Sequence, residues 1–89
     1  MKNPYIDNIN IIPKNDKGQI HGHVKLFYLN GNLKEEIDYV NGKIHGQRIV
    51  YGLLSEGPIG KDTYVNDKRL GYAERYIQKQ LTKKIYFIT

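Results

Sequence analysis

A chain of 89 residues and 10.4 kDa supports one hydrophobic core, because a domain this small removes only about 60% of its unfolded surface on folding, so residues 1–89 are read as a single domain. The absence of cysteine excludes a disulfide framework and a thiolate metal site, and apolar runs of only a few residues fall far short of the roughly 18 that cross a bilayer. Of the net charge of +5, residues 1–66 carry +1 (eight Lys or Arg against seven Asp or Glu) and the remainder carries +4 (six against two), a local positive field of the kind that draws polyanions.

Twelve Ile and eight Tyr against a single alanine, Ala73, favour a pleated sheet over helix. The same bias toward Lys, Asn, Ile and Tyr is what an AT-rich genome encodes, as in a bacteriophage or a low-GC bacterium. Residues 1–8 place proline and polar side chains where a secretory peptide has its apolar stretch, so a mature cytoplasmic start is expected.

Residues 5–12 form a first candidate strand, ended by Pro13. Val24, Leu26 and Tyr28 then alternate with His23, Lys25 and Phe27, while Leu33, Ile37 and Tyr39 alternate with Lys34, Glu36 and Asp38, which predicts one apolar face and one wet face. Asn30-Gly31 and Asn41-Gly42 mark tight turns whose central residues take positive φ. Residues 52–60, with Pro58, read as a loop.

Residues 70–81 carry two periodicities. Leu70, Ala73, Ile77 and Leu81 recur at helical spacing with Glu74, Arg75, Gln78 and Lys79 opposite, whereas the repeat described next places Tyr76 in a strand. Strand is preferred, with a short C-terminal helix as the alternative. Lys84 to Ile88 reads as a strand that is apolar on both sides; such a terminal strand is either covered or paired with a second copy. Ile85, Tyr86, Phe87 and Ile88 are therefore the expected homodimer interface.

An internal repeat organises these elements. Gly18-Gln19-Ile20-His21-Gly22 aligns with Gly42-Lys43-Ile44-His45-Gly46 and with Asp67-Lys68-Arg69-Leu70-Gly71, at offsets of 24 and 25 residues. An aromatic follows the last glycine of each copy by five residues (Phe27, Tyr51, Tyr76), and Asp38-Tyr39-Val40-Asn41 recurs as Thr63-Tyr64-Val65-Asn66. The pattern Tyr-x-Asn-Gly-Lys-x-His-Gly resembles the MORN-repeat variant of antitoxin-like bacterial and phage proteins. The resemblance covers residues 15–76; in the third copy Asp67 replaces the turn glycine and Leu70 the histidine. It implies an all-β, meandering antiparallel sheet of about three hairpin repeats, with a binding role and not a catalytic one. It further implies an inhibitor that neutralises a toxin or a defence nuclease in the host cytoplasm.

Catalytic constellations are lacking. His21 and His23 could share a strand face as metal ligands, but no third donor is evident, and His21 and His45 occupy equivalent turn positions, so no metal and no cofactor is expected. Gly60-Lys61 echoes a phosphate-binding loop, yet Ser55 replaces its first glycine and Asp62 its magnesium hydroxyl. Glu36 and Asp38 share a strand face with Lys34, the pattern of a solvated face, and Ser55 has no placed base.

Around the basic end, Tyr72 and Tyr76 interleave with Arg69, Arg75, Lys79, Lys83 and Lys84, combining phosphate partners with stacking platforms. These seven residues are the candidate site for RNA. RNA is preferred to duplex DNA because no recognition helix is identifiable. The competing reading is a protein-interaction module that binds through its sheet face or edge without nucleic acid; attachment to acidic lipid is a third.

Overall fold

The computed structural model describes residues 12–54, 57–77 and 79–88. Six strands run in chain order: β1 (Gly22–Phe27), β2 (Leu33–Val40), β3 (Lys43–Tyr51), β4 (Pro58–Val65), β5 (Lys68–Ile77) and β6 (Gln80–Phe87). They form one antiparallel meander in the order β1-β2-β3-β4-β5-β6. No helix occurs among the described residues, so the ambiguous stretch 70–81 resolves as strand: β5, a turn with Lys79 at φ 67°, and the start of β6. Most of the candidate strand at residues 5–12 lies outside the described residues. The loop expected over residues 52–60 is shorter, because Pro58 opens β4; proline is tolerated there as a first strand residue.

The repeat is as regular in space as in sequence. Two tight turns, Asn41-Gly42 (φ 49° and 84°) and Asn66-Asp67 (φ 48° and 69°), have both central residues in the left-handed region, whereas at Asn30-Gly31, expected to do the same, only Gly31 (φ 90°) does, within the longer connection from Phe27 to Leu33. Each stacks on the repeat before it: Gly42 donates its backbone N–H to the Ile20 carbonyl at 2.8 Å, and Asp67 donates to the Ile44 carbonyl at 2.9 Å. Register shifts recur between Ile37 and Tyr39 and between Asp62 and Tyr64, and a second set recurs at Phe27, Tyr51 and Tyr76. At the first set, β3 and β5 bulge at Gly46 and Gly71. A Cβ on either would point at Asp38 or Thr63, two equivalent positions of successive repeats.

Residues that pair across strands share a face, so the ladders sort the side chains. One row reads Val24, Ile37, Arg48, Asp62, Ala73, Ile85; we call its side the arginine face. The neighbouring row reads Lys25, Glu36, Ile49, Lys61, Glu74, Lys84, and its side is the lysine face. The expected contrast of an apolar and a wet face holds only in part. Val24, Ile37 and Ala73 are buried on the arginine face, but Arg48 and Asp62 interrupt their row.

The interruption is made of ion pairs. Arg48 bonds Glu35 through Nε and a terminal nitrogen, both at 2.8 Å. Asp62, only 6% exposed, accepts from Arg75 at 2.7 Å and lies 3.9 Å from Arg69. With extents of 42 × 34 × 11 Å the described residues form a single layer, since a second sheet would add about 10 Å. Among the described residues the buried apolar side chains, Val24, Ile37 and Ala73, thus share their face with ion pairs.

Candidate nucleic-acid interface

The basic residues of the C-terminal quarter do not form one patch. Successive strand residues point to opposite faces, so β6 sends Lys83 to the arginine face and Lys84 to the lysine face. Arg69 and Arg75 also lie on the arginine face. The Asp62 carboxylate engages both, and the Arg69 guanidinium covers the Phe87 ring at 5.3 Å. These two arginines hold a buried carboxylate before they can hold a phosphate. Lys79 sits in the β5–β6 turn.

What remains together is on the lysine face. Tyr72 and Tyr86 are direct partners in β5 and β6, with ring centroids 4.8 Å apart at an interplanar angle of 65° and exposures of 54% and 59%. Lys84 Nζ lies 4.3 Å from the Tyr72 centroid and 3.7 Å from Glu74. Lys61 Nζ lies 5.6 Å from the Tyr76 ring, whose hydroxyl donates to Glu74 at 3.2 Å. Lys68, paired with Val65, belongs to the same side. Tyr86, expected at a dimer interface, thus stands beside Tyr72 in the aromatic patch, and Lys61 joins a site that sequence reasoning had confined to the C-terminal end.

A second polar cluster occupies the other end of this face. His23 pairs with Asp38 in the β1–β2 ladder; its Nδ1 lies 2.7 Å from Asp38 and its Nε2 3.1 Å from Glu36, while the Tyr51 hydroxyl donates to Glu36 at 2.5 Å. The Asp38 and Glu36 bonds raise the His23 pKa. The Tyr51 bond is the main cause that lowers that of Glu36, and burial, then Glu36, pushes the Tyr51 hydroxyl up to about 12. The half-exposed His23 ring is thereby bridged between two carboxylates, and His21 accepts the Asn41 backbone N–H on Nδ1, a turn-framework contact.

The cluster predicts a pH dependence. A raised histidine pKa contributes stability that is present below the ordinary value of 6.5 and is lost as pH rises through the folded value; a lowered Glu36 pKa contributes stability present above 4.5 and lost as pH falls through its folded value. Thermal stability should therefore be highest between those limits. Melting curves of His23→Gln should lose the decline on the alkaline side of the plateau; an unchanged decline would show that the cluster does not couple to folding.

Compared with family models, with curated proteins and with solved structures, the chain matches none. No helix among the described residues is long and apolar enough to cross a membrane.

Proposed function

We propose that this is a non-catalytic binding protein whose lysine face holds single-stranded RNA across β4, β5 and β6. One observation carries the reading: Tyr72 and Tyr86, both more than half exposed on an open sheet face, adjoin Lys84, with Lys61 and Tyr76 beside them. Exposed tyrosines offer planes on which bases stack, worth about 1–3 kcal/mol per base, and the ammonium groups supply phosphate partners. Arg69, Arg75 and Lys83 leave the interface in this reading. The further role, neutralising a toxin or defence nuclease, has its support in the sequence resemblance.

Charge reversal separates the faces. Lys84→Glu should weaken binding of a fluorescein-labelled oligouridine, read by anisotropy at low salt, by about tenfold or more, whereas Lys83→Glu should change it less than about twofold. Tyr86→Ala should cost about 1–3 kcal/mol of affinity. Equal losses from Lys83→Glu and Lys84→Glu would reduce the effect to diffuse charge. No wild-type binding would retire the RNA reading in favour of the protein-interaction module, for which the exposed edge of β6 speaks.

A further inference from the structure

β6 closes the meander on one side, and its outer edge carries no strand among the described residues. It runs from Gln80 to Phe87 and is exposed at every position but the last. Ile85, Tyr86 and Ile88 add apolar surface there, with exposures of 38%, 59% and 78%. Such an edge is a template for a further strand.

We propose that the strand is β6 of a second copy, paired antiparallel about a twofold axis through Ile85. Side-chain facing restricts the registers. Directly opposed residues share a face, so a twofold normal to the sheet must pass through a residue and not between two. An axis at Lys84 would oppose two ammonium groups, and an axis at Lys83 would do the same. An axis at Tyr86 would shorten the ladder and set Lys84 against Ile88. With the axis at Ile85, Ile85 meets its counterpart, Lys84 meets the partner's Tyr86 on the lysine face, Lys83 meets the partner's Phe87 on the arginine face, and Thr82 meets the partner's Ile88.

This pairing extends a chemistry the sheet already uses between its own elements. Lys84 over Tyr72, Arg69 over Phe87, Lys61 over Tyr76 and Lys34 over Tyr28 are four cation–π contacts with centroid distances of 4.3–5.8 Å. Lys83 makes no ion pair among the described residues, and this register gives it an aromatic partner. The lysines that would repel a misaligned copy thus select one alignment.

Because the axis is normal to the sheet, the two lysine faces point the same way, and their Tyr72–Tyr86 pairs lie side by side across the axis. If the RNA reading holds, the dimer presents one doubled strip, and a strand long enough to cross the axis gains over a short one; this consequence rests on that reading, whereas the pairing itself does not.

The chain contains no cysteine, which makes a register test direct. Under mild oxidation without RNA, Ile85→Cys should form a disulfide-linked dimer in high yield and Lys84→Cys should not, since only the residue on the axis brings its Cα within the roughly 7 Å that a disulfide tolerates. Light scattering of the wild type should rise with concentration from 10.4 kDa toward twice that mass, and Ile85→Lys, folded by circular dichroism, should stay at 10.4 kDa. A wild-type mass of 10.4 kDa at millimolar concentration, or cross-linking strongest at Lys84→Cys, would overturn the proposal. A cross-linked Ile85→Cys dimer that binds no oligouridine would refute the RNA reading and leave the dimer standing. One that binds a long oligouridine no better than a short one would refute only the doubled strip.

Discussion

Gly46→Val is expected to remove most of the stability of the fold, about 3–5 kcal/mol, from a domain whose total is on the order of 5 kcal/mol. Two costs combine. Gly46 has φ 122°, a region essentially closed to side-chain-bearing residues, and a Cβ built there would stand 2.9 Å from an Asp38 carboxylate oxygen and 3.0 Å from Asp38 Cβ. The latter atom is rigid with the backbone and cannot swing aside. Moving Asp38 would also break its bonds to His23 and to the Gln47 backbone. Gly42→Val, at φ 84° with nothing closer than 3.6 Å, should cost only about 1 kcal/mol or somewhat more, through positive φ alone. Urea denaturation of both variants tests the ranking, and equal costs would show that the bulge at Gly46 does not bear the load assigned to it.

Arg75→Ala is the second large effect, at about 3 kcal/mol, because it strips the 2.7 Å partner from a carboxylate that is 6% exposed and leaves it Arg69 at 3.9 Å. Asp62→Ala should cost less, nearer 2 kcal/mol, since the guanidinium groups it strands remain more than 40% exposed and can rehydrate. Replacing both members, Asp62→Leu with Arg75→Leu, should recover much of the loss by putting apolar side chains on the face that already carries Val24, Ile37, Ala73 and Ile85. A double variant no better than the worse single one would mean that the pair sets the twist or register of β4 and β5 and does more than neutralise itself.

The turn at Asn41-Gly42 was legible because both residue types tolerate positive φ, whereas at Asn30-Gly31 only Gly31 adopts it, inside a five-residue connection closed by Tyr28 and Asn32; the Asn66-Asp67 turn and the bulges at Gly46 and Gly71 were not read from the sequence. The shared face of Glu36 and Asp38 followed from alternation, but their bonds to His23 did not, since they depend on the β1–β2 register and that is set by a five-residue connection without a strict geometry. Asp62 escaped notice for a related reason. A carboxylate in an alternating strand reads as solvent-facing unless its partner is known, and Arg75 arrives from the neighbouring strand 13 residues later. The opposite orientations of Lys83 and Lys84 were available from their adjacency once that stretch was taken as strand, and they are what divides the basic end between two faces.

The ion pairs at the middle of the arginine face also govern how this protein can grow. A thin, six-stranded ribbon of β structure is the raw material of laminated fibrils, in which dry faces interlock. Here lamination would trap Arg48, Glu35, Asp62 and Arg75 between layers and strip their water, a penalty of several kcal/mol per ion before any gain from contact. Stacking through the arginine face therefore carries a desolvation cost that contact at the strand edges does not. Pairing at the edge of β6 would leave these groups in water, so the same charges that make lamination costly do not stand against edge-to-edge contact.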